Sequence, residues 1–394
     1  MPLSDRDMPD KVAQPIASVS RQPLDKVADA RPVDRLTLAV FEAEGLPVGR
    51  QWVAPGEVPR PDEATIARAT RKTPEFAEFD ERKISVVICT RDRPEDLSRC
   101  LAGFAAQSRA PDELVVVDNA SASSAIRSIA EAHGARYLRE DREGLDFARN
   151  TGALAATGDL ILYTDDDTEL HPDWIANLSA AFVEPHVMGV TGLVLPARLD
   201  TEAQLLFEQA WGFGRGFDRV DFGPAFWERT RRRGCPAWEI GAGASMGFRR
   251  EVFEIVGYFD ERLGAGQSGC SDDSEFWYRI LAAGFTCRYE PRAVIWHHHR
   301  LKMEGLSSQI YQYMRGHTAA LLMQFDRSGE IGNLRRLFVD LPIYYFGLAI
   351  RKPLGRQSPK ARFLRQQITG SLAGIAFYLR NRSYSLPSGS NSAR

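Results

Sequence analysis

The sequence has little of what would mark the commoner alternatives. Its five cysteines (Cys89, Cys100, Cys235, Cys270, Cys287) are scattered and form no C-x-x-C pair. That removes a disulfide framework and a structural zinc site, and it fits a reducing, cytoplasmic setting. A formal net charge of -2 gives no global attraction for nucleic acid. No apolar run approaches the length of a membrane span; the nearest, residues 341–350, contains Pro342. The opening residues, MPLSDRDMPDKVAQP, lack the apolar core of a secretory signal. No G-x-G-x-x-G follows the first core strand and no Walker A loop occurs, which argues against dinucleotide cofactors and P-loop chemistry.

What is present is concentrated. Leu160-Ile-Leu-Tyr-Thr-Asp-Asp-Asp-Thr-Glu169 is a short apolar run that ends in three carboxylates. Its length and composition read as a buried strand. In an open α/β sheet, ligands bind beyond the carboxyl ends of the strands. Asp165, Asp166 and Asp167 repel one another there, and a divalent cation with a preference for hard oxygen ligands would compensate them. The plainer alternative is a solvated acidic turn ahead of the next helix.

Three more buried-strand runs precede this one: Ile84-Ser-Val-Val-Ile-Cys89, Glu113-Leu-Val-Val-Val-Asp118 and Arg136-Tyr-Leu138. Helical segments separate them, the first opening at Pro94 with Glu95 and Asp96 in its first turn, as the helix dipole favours. The alternation, in roughly thirty-residue units, predicts an α/β fold with a Rossmann-like, mostly parallel sheet and helices on both faces. Thr90 and Arg91 follow the first strand, Asp118 ends the second, and the acidic triplet ends the fourth. One edge of one sheet would therefore carry them all.

The motifs Ser85-Val-Val-Ile-Cys-Thr-Arg91, Val115-Val-Val-Asp-Asn-Ala-Ser121, Glu143-Gly-Leu-Asp-Phe-Ala-Arg-Asn-Thr-Gly152 and Tyr163-Thr-Asp-Asp-Asp167 occur in that order. Together they resemble the family 2 glycosyltransferases, which have the GT-A fold and use nucleotide-diphosphate sugars. The resemblance runs from about residue 84 to 300. It implies that Thr90, Arg91 and Asp118 hold the nucleoside, with Asp118 accepting from the base. Arg149 and Asn150 would lie near the diphosphate. Asp165 and Asp167 would be the working pair of an Asp-x-Asp motif binding Mg²⁺ or Mn²⁺, with Asp166 in support. Gly243, in a small-residue stretch from Glu239 to Phe248, would pass beside the donor sugar. Asp272 and Asp273 match the acidic pair that supplies the general base, with Asp273 in the usual catalytic position. His297, first of the run His297-His-His299, would be a further metal ligand, with His298 or His299 taking that place if the register differs.

Around that core, residues 1–30 read as disordered, 31–83 as a small N-terminal appendage with an edge strand near Leu36, and 84–305 as the catalytic domain. Residues 84–167 form its nucleotide-binding half and 168–305 its acceptor half. Residues 306–394 form a C-terminal helical extension. From residue 331 to the end there are eleven lysines and arginines and one acid, Asp340, interleaved with apolar segments. That pattern fits a membrane surface, or helices packed on the domain or a partner. The expectation is an inverting, metal-dependent glycosyltransferase acting on a glycan or lipid-linked acceptor in polysaccharide biosynthesis. UDP is the favoured carrier. The location is cytoplasmic, and peripheral on the inner face of the plasma membrane if the tail docks there. A nucleotidyltransferase would want a glycine-rich loop after the first strand, and Thr90-Arg-Asp-Arg-Pro94 has none. A catalytically silent binding subunit would not need Asp165, Asp167 and Asp273 together.

Overall fold

The computed structural model describes residues 15–71, 81–351 and 358–383. Strand β1 (Ala17–Pro23) runs parallel to β2 (Leu36–Ala43), which turns back into antiparallel β3 (Leu46–Val53). The expected disorder over residues 1–30 therefore fails from Ala17 onward, and residues 1–14 lie outside the described residues. Only Ala17 of β1 is fully buried, so no apolar alternation marks the strand in the sequence. β2 is the middle strand of three rather than an edge. This small sheet is sewn to the main body by backbone bonds from Ile16 to Asp200 and from Ala17 to Leu199, both 3.1 Å.

The main sheet has nine strands. They are β4 (Ile84–Thr90), β5 (Glu113–Asn119), β6 (Arg136–Glu140), β7 (Leu160–Asp165), β8 (Thr168–Leu170), β9 (Val187–Pro196), β10 (Val220–Phe222), β11 (Ser245–Arg249) and β12 (Thr286–His297). The order is β10-β12-β9-β11-β7-β4-β5-β6, with β8 joined to β12. β4, β5, β6 and β7 are mutually parallel, β9 and β12 pair in parallel, and β11 runs against both its neighbours. Arg249 closes β11, and a helix begins at Val252.

Alternation along β4 sets the layers. Val87 joins one apolar cluster with Val115, Val117 and Tyr163, while Val86 and Ile88 join another with Val116 and Leu162. A sheet apolar on both faces must be covered on both. The helix Leu145–Ala155 covers the first; Pro94–Ala102, Ala125–Ala132 and Trp174–Ala180 cover the second. Gly152 allows the first of these to lie close: a Cβ there would come within 2.4 Å of Val87. That closeness fixes where Arg149, one turn earlier, can reach.

The C-terminal region is helical, but the expected boundary at 305/306 falls inside the helix Met303–Ser328. Its Arg327 makes ion pairs of 2.6 Å with Asp260 and 2.7 Å with Glu275, tying the extension to the domain. Among the described residues, no helix is long and apolar enough to cross a membrane.

Candidate active site

Strand register brings the first site residues level. Thr90 pairs with Asp118 across β4 and β5, and Cys89 pairs with Asp165 across β4 and β7. Beyond Asp165 the chain turns and returns as β8, whose Thr168 pairs with His297 at the end of β12. A histidine far away in sequence is thus delivered to the acidic turn by a three-residue ladder. Ligand atoms of Asp165, Asp167 and His297 lie within 4.8 Å of one another.

The three aspartates differ in their surroundings. Asp166 turns inward, accepting from Thr90 Oγ1 (2.8 Å) and Arg93 Nη1 (3.0 Å). Burial pushes its carboxyl up to about 6, against the pull of Arg93. Asp167 reaches His297 Nε2 at 3.2 Å and Arg93 at 3.5 Å. Asp165 is the most exposed of the three. Burial and the Asp167 charge raise its pKa, opposed by Arg149. Two carboxylates and an imidazole converging on one point, with too little positive charge nearby, form a donor set that fits Mg²⁺ or Mn²⁺.

Behind His297 runs a chain of side chains. His297 Nδ1 meets His299 Nδ1 at 3.0 Å, and His299 Nε2 meets Glu208 Oε2 at 3.3 Å. Arg50 of β3 then donates to Glu208 Oε1 at 2.6 Å. One of two facing nitrogens must carry the hydrogen. A carboxylate stands at each end, Asp167 at 3.2 Å from His297 Nε2 and Glu208 at 3.3 Å from His299 Nε2. With a cation on Asp167, the His299 hydrogen would go to Nε2, His297 would donate through Nδ1, and its Nε2 lone pair would be left to ligate. Burial holds His299 below the usual histidine range, consistent with a neutral ring. His298 points elsewhere, to Glu169 Oε1 at 2.7 Å.

Arg149 is the hub of the site. It is buried, pairs directly with Asp272, and lies 3.6 Å from Asp146 and 3.9 Å from Asp165. It therefore spans the acidic turn and the acid pair at the start of the helix Asp272–Ala282. Asp273 Oδ2 accepts from the Gly243 N–H (2.8 Å), and its Oδ1 accepts from Ser274 N (2.6 Å). A Cβ on Gly243 would fall 2.9 Å from Arg149 and 3.2 Å from Asp273, so only glycine fits between them. Asp146 is fully buried, and that burial raises its pKa well above the carboxylate range.

At the end of β5, Asp118 accepts from Ser121 N (3.0 Å), Tyr137 Oη (2.8 Å) and Arg139 Nη1 (2.9 Å). Burial works to raise its pKa, but these bonds outweigh it and hold the carboxyl below its ordinary range. Arg91 stands at the rim, paired with Glu143 at 2.8 Å. Asn150 is buried in the middle turn of the helix Leu145–Ala155. Its Nδ2 donates to Phe259 O (3.0 Å) and its Oδ1 accepts from Phe259 N (2.9 Å), so it clamps the backbone behind the site.

Arg93, Arg139, Asp146 and Glu208 were not singled out from the sequence. A signal existed for Arg93, since a cation beside a helix N-terminus runs against the dipole and calls for a compensating acid. Arg139 was lost because the strand was ended at Leu138.

A mostly parallel sheet with β11 reversed inside it and β8 and β10 reversed against β12, and an acidic turn at the end of β7, is a GT-A arrangement. It superimposes on the mannosyltransferase PcManGT from Pyrobaculum calidifontis, solved with GDP-Man and Mn²⁺, with a TM-score of 0.51 at 19% identity, over 79% of this chain and 89% of that one. Residues 85–257 match the profile of glycosyl transferase family 2. Among curated relatives, the chain is 28% identical over 190 residues to the glucosyl-dolichyl phosphate glucuronosyltransferase of Haloferax volcanii, covering 46% of this chain and 57% of that protein. It is also 28% identical over 230 residues to the succinoglycan biosynthesis protein ExoM of Rhizobium meliloti, covering 53% and 65%. The chain thus spans less than two thirds of either relative.

Proposed function

We propose that the protein is an inverting, metal-dependent glycosyltransferase that moves a sugar from a nucleoside-diphosphate donor, with UDP favoured, to a glycan or lipid-linked acceptor in polysaccharide biosynthesis. The observation that carries this reading is the meeting, across Arg149, of the Asp165–Asp167–His297 cluster and the Asp272–Asp273 pair. Asp165, Asp167 and His297 would hold the divalent cation, which neutralises charge on the departing diphosphate. Thr90, Arg91 and Asp118 line the nucleoside end, with Arg139 fixing the Asp118 carboxylate for the base.

In the reaction, an acceptor hydroxyl attacks the anomeric carbon from the face opposite the nucleotide. The bond from that carbon to the diphosphate oxygen breaks, and its electron pair leaves with the diphosphate. Asp273 takes the hydroxyl proton, since an unassisted hydroxyl is a poor nucleophile. The Gly243 N–H orients Asp273, and Arg149 keeps Asp272 from competing for the proton. Asp166 serves from behind, coupling the acidic turn to Thr90 and Arg93. The setting proposed is cytoplasmic, where activated sugars are made, in keeping with five free cysteines.

The test is turnover of UDP-, dTDP- and GDP-sugars with and without Mn²⁺, with the product anomer read by NMR. One donor consumed only with the metal, giving the inverted anomer, is expected. No consumption of any donor, or a retained anomer, would overturn the reading.

A further inference from the structure

Apolar side chains exposed to solvent are not scattered evenly over this protein. They gather on one continuous helical run, Ile331–Arg335, Arg336–Asp340 and Leu341–Arg351, which includes a π-turn in its middle. Ile331 is 71% exposed, Phe338 60%, Val339 47%, Ile343 64%, Phe346 68% and Ile350 47%. Within Leu341–Arg351, at about 100° per residue, Ile343, Phe346 and Ile350 share one side of the helix. The opposite side is also apolar, but there Leu337, Leu341 and Leu348 are buried against the domain. A surface helix normally shows a polar outer face, so a helix apolar on both sides has a second medium to meet. Tyr344 and Tyr345 hold it to the helix Leu364–Asn381 through Gln367 (3.3 Å) and Ser371 (2.7 Å), and that helix exposes Leu372 and Leu379.

Charge selects the medium. From residue 331 onward the chain carries eleven basic residues and one acidic one. Arg335, Arg365, Arg380 and Arg382 are exposed on these same two helices. A second copy docking through the same face would set two basic surfaces against each other, and like charges directly opposed are destabilising. An anionic bilayer satisfies both the apolar arc and the cations. The run would lie in the plane of the interface with its side chains at the headgroup–acyl boundary. We infer that the face built by Ile331, Phe338, Val339, Ile343, Phe346 and Ile350 is a docking surface for an anionic lipid bilayer. It holds the enzyme where a lipid-linked acceptor would be presented. The lipid-linked choice of acceptor rests on the proposed transferase activity, but the docking itself does not.

Flotation of the full-length protein with vesicles of phosphatidylcholine alone, and with phosphatidylglycerol added, tests it. Binding to the anionic vesicles, falling steeply as salt rises, is expected. The double substitution Ile343→Asp with Phe346→Asp lies on exposed positions and should weaken binding by roughly tenfold or more, each lost apolar contact being replaced by a repelled charge. Donor turnover in solution should stay unchanged, which separates a failure of docking from a failure of the transferase reading. No binding to anionic vesicles would overturn the inference. So would binding that the double variant keeps, or a wild-type dimer that ignores vesicles and that the variant converts to a monomer.

Discussion

Two buried acidic clusters lie within one helix of each other and are built on opposite principles. In the first, Asp260 and Glu275 face Arg262, Arg279 and Arg327, with contacts of 2.6 to 2.9 Å. Cations outnumber acids, and the buried carboxylates find donors on several sides. In the second, Asp146, Asp165, Asp166, Asp167, Asp272 and Asp273 share Arg93, Arg149 and the His297 imidazole. Here burial and mutual repulsion raise the pKa of Asp146, Asp165 and Asp166, while Asp260 in the first cluster is lowered by its arginines. The helix Asp272–Ala282 contributes to both, with its acid pair in one and Glu275 in the other. The difference separates scaffold from site. A compensated cluster is finished when the chain folds; an uncompensated one is left short of positive charge, which a cation can supply on binding.

The comparison breaks most sharply under neutral substitutions. Asp167→Asn removes a repelled carboxylate and a proposed metal ligand together. Mn²⁺ affinity should fall by about two orders of magnitude or more and turnover with it, while thermal unfolding without metal is unchanged or shifts upward. Glu275→Gln should do the reverse. It leaves Arg279 and Arg327 short of a buried counter-charge and should cost about 3 kcal/mol or more in denaturant unfolding. Turnover per folded molecule should be kept. If Asp167→Asn destabilises the metal-free protein as much as Glu275→Gln does, the distinction between the clusters is wrong.

Asp273→Asn tests the division of labour inside the site. Shape and the Gly243 contact can survive through the amide oxygen, but the proton acceptor is lost. Turnover should fall by about 10²–10⁴-fold with donor binding retained, as measured by calorimetry. Unchanged turnover would move the base elsewhere.

How much of this could be read in advance depends on what each feature requires. The level arrangement of Thr90, Asp118 and Asp165 was legible because parallel β-α units repeat, so strand ends fall on one edge by construction. The placement of Asp272, Asp273 and His297 around the acidic turn was legible through motif resemblance alone, since nothing local in 272–273 sets them apart from ordinary N-cap acids. Arg149 was visible as a candidate, but its partners were not: which carboxylates meet it depends on how close the helix Leu145–Ala155 lies to the sheet. The clamp that Asn150 makes on the Phe259 backbone was not legible, because such a buried contact leaves no trace in spacing. Glu208 and Arg50 were invisible for the same reason at longer range, 158 residues apart in sequence and joined only by folding.

That last pair gives the smallest and most selective effects, because it acts on the metal through two imidazoles. Glu208→Gln removes the anion that draws the His299 hydrogen to Nε2. His299 can then turn its hydrogen toward His297, leaving His297 the wrong tautomer for a ligand. Mn²⁺ affinity, read by electron paramagnetic resonance, should weaken by roughly tenfold, within the range found for outer partners of metal ligands. Arg50→Ala should do less, about threefold, because Glu208 keeps its carboxyl contact with His299 and loses only the outer partner, the partly exposed Arg50. The order matters more than either size. If Arg50→Ala weakens the metal as much as Glu208→Gln, the N-terminal sheet acts by bracing β12 mechanically, and the tautomer argument fails.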